Sequence, residues 1–183
     1  MSEQRIIKDR AIVADTWQLL RLEEGQDAAS VSVPAGQVIV PLAVYLAQQP
    51  ALASRPALGV WIAPDEDPRA LQGQLERLAV VAIDFPKFTD GRGYSHAWNL
   101  RTRLGYTGEL RAIGDVLRDQ LFAMQRVGFN AFATRPDRPI EDALKGLTDF
   151  SEVYSASVDQ RLPLFRRVTR GLAPELNDIG AGI

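Results

Sequence analysis

Residues 59–147 alternate short apolar runs with segments whose apolar residues recur at helical spacing. A short apolar run bounded by turn residues is typical of a buried strand, and a period near 3.6 residues is typical of a helix packed on it. Four such strand–helix units in succession predict a parallel sheet with right-handed crossovers. The predicted strands are 59–63, 79–84, 109–113 and 129–133.

The four predicted helices begin at capping residues or prolines, and two of them end at glycines. Their expected first residues or caps are Asp67, Ser95, Asp115 and Pro139. The glycines that end the second and third helices are Gly105 and Gly128. The first helix is expected to place three leucines on its buried face, Leu71, Leu75 and Leu78.

The flanking segments follow other patterns. Extended runs at 11–14 and 17–22 and the alternating residues 31–33 predict a small antiparallel strand group. A short helix follows over 42–48, opened by Pro41. We interpret residues 1–55 as an N-terminal appendage on a strand–helix core of residues 56–153. Residues 154–183 lose the periodicity and form a mobile tail or a docking segment.

The expected fold is therefore α/β, with all 183 residues in a single domain. Four strand–helix units are too few for a complete eight-stranded barrel. Two arrangements are open at this point: an open layer, or a partial barrel that the N-terminal strands complete.

Composition limits the chemistry. The chain is 46% hydrophobic with a formal charge of −2, which gives no electrostatic footprint for nucleic acid. It has no cysteine and one histidine, which excludes disulfides, thiol nucleophiles and clusters of imidazole ligands, so no metal site is expected. No apolar run is long enough to span a membrane and no secretory signal is recognisable, so we expect a cytoplasmic protein.

The loops after the four strands carry the candidate chemistry. Ligands of parallel α/β folds bind at the carboxyl ends of the strands, and helix N-termini there favour anions. Mixed charge with several cations on this rim predicts a small anionic ligand. The predicted ligand-binding residues are Lys87, Asp90, Arg92, Tyr94, Ser95, Asp115 and Arg135.

The loop over residues 85–94 is the densest part of that rim. It is longer than usual strand-to-helix connections, and long loops are often functional, although a solvated surface loop is the alternative. Its candidate proton-transfer residues are Lys87, Tyr94 and His96. Gly91 and Gly93 do not form a dinucleotide fingerprint, because His96 replaces the third glycine and the turn comes too late after the strand. No cofactor is evident.

The run FPKFTDGRGYSHAWNLRTRLGYTGELRAIGDVLRDQLFAMQRVGFNAF at 85–132 resembles the signature block of a bacterial domain-of-unknown-function family, numbered nine-three-four. Residues 15–17 and 150–154 also resemble its pattern. Members are often labelled oxidoreductases of sulfite reduction, because their genes lie beside those for sulfite reductase and phosphoadenylyl-sulfate reductase. The resemblance carries over the block itself, and no established catalytic residue.

The resemblance implies a role in assimilatory sulfate and sulfite reduction, and three hypotheses follow. The first is an accessory or anion-binding protein that works with sulfite reductase or another sulfur-assimilation enzyme. The alternative is an oxidoreductase of sulfur assimilation that uses an externally supplied cofactor. The third is a structural subunit whose tail and N-terminal appendage make the contacts.

Overall fold

The computed structural model describes residues 4–167, in which eight strands form one sheet in the order β2-β1-β8-β7-β6-β5-β4-β3. The strands are β1 (Arg5–Lys8), β2 (Ala11–Ala14), β3 (Gln18–Leu19), β4 (Val38–Pro41), β5 (Leu58–Ile62), β6 (Val80–Phe85), β7 (Glu109–Gly114) and β8 (Ala131–Phe132). The α-helices are α1 (Leu42–Ala47), α2 (Gln49–Leu52), α3 (Arg92–Thr102), α4 (Arg118–Arg126), α5 (Ile140–Lys145) and α6 (Leu164–Arg167).

The predicted parallel strand–helix core is present, but the sheet as a whole is mixed. Strands β3 to β8 pair in parallel, whereas β1 is antiparallel to both of its neighbours. The reversal occurs at Asp9 and Arg10, which both have positive φ, of 48° and 64°. Positive φ at both central residues is the geometry of the tight turn that joins antiparallel strands.

The N-terminal region is not an appendage, because β1 to β4 belong to the same sheet as the core. Strand β4 was not predicted; it lies fully buried and pairs with β5 in parallel. The strand predicted at 31–33 is absent. There the Val31 carbonyl oxygen accepts from the Gln48 side-chain amide at 2.9 Å. The segment is therefore bonded to the end of a helix and not to a neighbouring strand.

The sheet curls into a half-barrel, which is the partial-barrel alternative. Strands β2 and β3 lie at opposite ends of the strand order, yet only residues 15–17 separate them. A flat sheet of this size would hold its edges about 34 Å apart, whereas three residues span about 14 Å. The Asp15 amide still donates to Gln4 beside β1, and the Gln18 amide donates to Gln37 before β4. One extended segment therefore bridges both edges of the curled sheet.

All the buried apolar residues of α1 to α5 belong to one core, on the outer face of the sheet. The inner face carries a second, smaller cluster to which no helix of the described chain contributes. Its members are Ile39, Val80, Ala82 and Ile113, packed with Trp17, Trp61 and Ala133. Alternation along β6 and β7 assigns the residues to these faces: Val81 and Ile83 point outward, whereas Ala82 and Asp84 point inward.

Several helix boundaries differ from the predictions. The leucine-rich helix after β5 is two short 3-10 helices, Pro68–Leu71 and Leu75–Arg77, because Gly73 between them has φ of +77°. Helix α3 begins at Arg92 instead of Ser95, and the last parallel strand shrinks to Ala131–Phe132. Helix α4 has Leu117 at its N-cap position, not Asp115.

The first part of the predicted tail, residues 154–167, contains α6 and is held to α4 by hydrogen bonds. The rest of the predicted tail, residues 168–183, lies outside the described range. Within residues 4–167 no helix has the length and apolarity that crossing a membrane requires.

Candidate functional site

The loop after β6 is shorter than predicted, because α3 begins at Arg92 and leaves only residues 86–91 as the connection. Six residues lie within the usual range, so loop length no longer argues for a function. The Asp90 carboxylate accepts from the Arg92 amide at 3.1 Å and from its guanidinium at 2.7 Å. These bonds lower the pKa of Asp90, and the two side chains neutralise each other.

Lys87 and Ser95 are exposed, and within residues 4–167 neither side chain makes a hydrogen bond or an ion pair. Tyr94 packs edge-on against Phe85, with ring centroids 5.7 Å apart, and burial raises the pKa of its phenol. These contacts give Tyr94 a packing role beside the helix start.

His96 faces the loop after β5. Its Nε2 lies 3.1 Å from the Pro64 carbonyl oxygen, in a cleft of about 620 Å³ that Ser95 and three carboxylates also line. The carboxylates are Asp65, Glu66 and Asp67. Burial raises the pKa of Glu66, whose carboxylate accepts from the Ala63 amide at 2.7 Å. Neither Lys87 nor Tyr94 lines this cleft, so the structure does not gather the three proton-transfer candidates in it.

Asp115 and Arg135, two of the predicted ligand residues, are in direct contact. The Asp115 carboxylate accepts from the Phe88 amide at 2.9 Å and from Arg135 Nη1 at 3.1 Å. It therefore ties together the loops that follow β6, β7 and β8, in place of the helix cap that we predicted. Arg135 also donates to Asp137 at 2.8 Å, and these two carboxylates raise its pKa.

Arg135 borders a cleft of about 450 Å³ between the first turns of α4 and α5, at the carboxyl edge of the sheet. We call it the arginine cleft, since it is lined by Arg118, Arg135 and Arg138. Arg118 is held by Asp142 at 3.2 Å and by Asp149 at 3.0 Å. Within the described chain, Arg138 makes no ion pair.

Sequence reasoning missed a buried charge network on the inner face of the sheet. Arg111, only 2% exposed, donates to both oxygens of Asp15 at 3.0 Å and to Glu109 at 2.7 Å. Lys8 pairs with the other Glu109 oxygen at 2.7 Å. The available signal was the pattern Glu109-Leu110-Arg111, in which charges alternate with buried residues and so share one strand face.

A second inward carboxylate stands at the carboxyl end of β6. Asp84 is 8% exposed and accepts from both terminal nitrogens of Arg21, at 2.7 and 3.3 Å. Arg21 in turn lies over the Trp61 ring, 5.1 Å from its centroid. The Trp61 indole donates to the Leu20 carbonyl oxygen at 2.8 Å, which holds the backbone beside Arg21 in place.

A cavity of about 410 Å³ opens where these inner-face groups approach the carboxyl edge. Asp15 and Arg111 line it, together with the apolar Trp17, Ile39 and Ile113. Barrel mouths at carboxyl ends are frequent ligand sites. Here, however, Asp15 and Glu109 already pair with Arg111, which is the cation that lines this cavity. The arginine cleft is the better place for an anion, because it also contains Arg138, which makes no ion pair within residues 4–167. No group of three or more histidine, aspartate or glutamate side chains suited to a metal ion occurs between residues 4 and 167.

Comparison with family models adds one finding. Residues 59–165 match the model of a family described as bacterial protein of unknown function (DUF934). The chain belongs to this family. The matched range includes β5 from its second residue, β6 to β8, the arginine cleft and the loop of residues 86–91. No curated protein and no solved structure matches the chain.

Proposed function

We propose that this family member acts in assimilatory sulfate and sulfite reduction, as an accessory protein that binds a small oxyanion and works with sulfite reductase. The observation that supports anion binding is the arginine cleft, which collects three guanidinium groups at the carboxyl edge of the sheet. The assignment to sulfur metabolism rests on the resemblance of residues 85–132 to proteins encoded beside sulfite reductase.

The cleft has the chemistry that a tetrahedral or pyramidal oxyanion requires. Guanidinium groups recognise such anions through paired N–H donors. Asp142 and Asp149 hold Arg118, and Asp115 and Asp137 hold Arg135, so both guanidinium groups are oriented before a ligand arrives. Each keeps donors for a further acceptor.

Arg138 supplies the uncompensated positive charge of the cleft, because carboxylates already pair with Arg118 and Arg135 whereas Arg138 makes no ion pair within residues 4–167. Helix α4 begins beside it, and the unpaired amides of a first helical turn favour an anion. A small anion fits this arrangement better than a polyphosphate, because the exposed carboxylate of Asp119 also lines the cleft.

Thermal unfolding tests the binding step. A ligand that binds only the folded state raises the melting temperature, so sulfite, sulfate or an adenylylated sulfate should do so in the native chain. Arg138→Ala should abolish the shift. Arg77→Ala is the matched control, since Arg77 is also exposed and makes no ion pair in the described chain. If none of the three anions changes the melting temperature of the native chain at saturating concentration, that result would contradict an anion site.

Growth tests the pathway separately. A deletion strain supplied with sulfate, sulfite or sulfide as its only sulfur source should grow poorly on one or both oxidised forms and normally on sulfide. We expect Arg138→Ala to impair rescue, because it removes the uncompensated charge of the cleft, and to leave the fold intact, because the side chain is exposed. Normal growth of the deletion strain on all three sources would contradict the pathway, and full rescue by Arg138→Ala would contradict only the role of the cleft.

A further inference from the structure

The last part of the described chain exposes a group of large apolar side chains. Phe150, Tyr154, Leu162 and Phe165 are 63%, 70%, 50% and 59% exposed. They make up half of the eight large apolar residues exposed between residues 4 and 167. We call these four residues the C-terminal patch. Exposed apolar residues that lie against one another, as Tyr154 and Phe165 do, are typical of interaction surfaces, whereas single scattered ones are not.

A buried arginine of α4 holds the segment that carries the patch. Arg126 is 8% exposed and donates to the Asp159 carboxylate at 2.7 Å and to the Ser155 carbonyl oxygen at 2.6 Å. Its own carbonyl oxygen accepts from the Ser157 hydroxyl at 2.7 Å and from the Val158 amide at 3.1 Å. The middle of the segment is thus fixed to the helix, with patch residues on either side of the fixed stretch.

The aromatic rings of the patch are themselves arranged in pairs. Tyr154 and Phe165 lie with ring centroids 6.3 Å apart, and the Leu164 amide donates to the Tyr154 carbonyl oxygen at 3.0 Å. Phe150 packs on Phe122 of α4, at 4.9 Å. Rings that are already positioned lose little conformational entropy when a partner binds, and aromatic residues are frequent binding hot spots.

Around the patch, the charges that have no ion-pair partner within residues 4–167 are positive. Of its acidic neighbours, Asp159 is paired with Arg126 and Glu152 is paired with Arg167. Arg161 is exposed and makes no ion pair within the described chain. The same holds for Arg166, whose guanidinium lies 5.8 Å from the Phe165 ring centroid. The uncompensated charge beside the exposed rings is therefore positive.

We infer that the C-terminal patch is the docking surface for a different protein, whose surface presents an apolar depression rimmed by aspartate or glutamate carboxylates. Carboxylates would meet Arg161 and Arg166, and the depression would receive the Tyr154 and Phe165 rings. This inference goes beyond the proposed function and is independent of it, because no patch residue lines the arginine cleft.

Site-specific photo-crosslinking in the cells that make the protein tests the inference. The full-length chain carries a photoreactive phenylalanine analogue in place of Tyr154, or, as a matched control, in place of Leu46 on α1, which is 44% exposed. We expect the Tyr154 position alone to crosslink to one other protein, at a peptide with neighbouring acidic residues. The combined change Arg161→Glu and Arg166→Glu should lower the yield about tenfold without changing the melting temperature, since both arginines are exposed.

Four outcomes overturn the inference: no crosslink, a crosslink only to further copies of this chain, equal yields from both positions, or a yield that survives the charge reversal. A crosslinked peptide without acidic neighbours overturns it as well. None of these results bears on oxyanion binding, which the melting temperature with and without sulfite measures separately.

Discussion

Arg111, in the middle of β7, donates from Nη1 to both carboxylate oxygens of Asp15, at 3.0 Å each. The two side chains are 3% and 4% exposed, so the pair is almost fully removed from water. Asp15 belongs to the segment that bridges the two edges of the sheet, and β7 lies near the sheet centre. This contact therefore fixes the bridging segment to the inside of the half-barrel.

Loss of Asp15 should be costly for that reason. We expect Asp15→Ala to lower the free energy of unfolding by about 3 kcal/mol or more, because it removes one partner of a buried charge pair. Urea denaturation measures the change. The control is Glu141→Ala, which breaks the exposed Arg5–Glu141 pair and should cost less than about 1 kcal/mol. Similar losses in the two variants would show that the inner pair is not structural.

Two glycines with positive φ should tolerate alanine differently. Gly105 has φ of +70° and open space around its added Cβ, so Gly105→Ala should cost about 1 kcal/mol from backbone strain alone. Gly114 has φ of +94°, and a Cβ there would lie 2.4 Å from the Phe85 carbonyl oxygen. Gly114→Ala should therefore lose about 3 kcal/mol or more, since strain and overpacking add. Equal losses in chemical denaturation would contradict the close strand approach.

Glu66 should make stability depend on pH. Burial raises its pKa above 4.5 in the folded protein. The carboxyl group therefore favours the folded state below its unfolded pKa, and this contribution is lost as the pH rises through the folded value. Glu66→Gln keeps an acceptor for the Ala63 amide and removes the charge of this partly buried side chain.

We expect the glutamine variant to be more stable than the native chain near pH 7 and to lose that advantage near pH 3.5. Unfolding curves at both pH values measure the difference. The same advantage at both values would assign the effect to packing rather than ionisation.

Arg101 of α3 has a structural role, because its side chain connects the helix to the segments around Tyr106, Gly108 and Gly128. Its guanidinium donates to the carbonyl oxygens of Tyr106, Gly108 and Gly128, at 2.7 to 2.9 Å. Arg101→Met should lower the free energy of unfolding by about 3 kcal/mol, because carbonyl groups lose their donors.

Arg103 is the matched control for Arg101. It follows the same helix and stacks on Trp98, 5.5 Å from the ring centroid, and its side chain makes no hydrogen bond or ion pair within residues 4–167. Arg103→Met should cost less than about 1 kcal/mol. Calorimetric unfolding of both variants measures the two losses of stability. A loss below about 1 kcal/mol for Arg101→Met would contradict the structural role of Arg101.

Much of the fold could be predicted because its signals are local. The strands predicted at 59–63 and 79–84 stand out as apolar runs between turn residues, and the one at 109–113 alternates apolar with charged residues. The structure confirms all three, with bounds shifted by one residue at most at each end. The hairpin of β1 and β2 could not be found in this way, because Asp9 and Arg10 lack the glycine that marks such turns. Strand β4 was hidden because Pro41, its last residue, was assigned to a helix start.

The sequence predicts where the candidate site lies better than it predicts which of the charged side chains there form ion pairs. The carboxyl-edge rule correctly places Asp115 and Arg135 on neighbouring loops, where they meet. The rule says nothing about which cations are already neutralised, and Arg92 turns out to be paired with Asp90. The inner pair escaped prediction because its partners are 96 positions apart in the sequence. The alternation at Glu109 and Arg111 marks one strand face, but it does not identify Asp15 as the partner.

The position of β1 has a consequence for synthesis on the ribosome. Its partner on one side, β2, follows within a few residues, but its other partner is β8, through Ile7 and Phe132. The edge of β1 that faces β8 therefore has no partner strand while the parallel part of the sheet, β3 to β8, is being translated. In the nascent chain, the pairing of β1 with β8 cannot form before β8 has been synthesised.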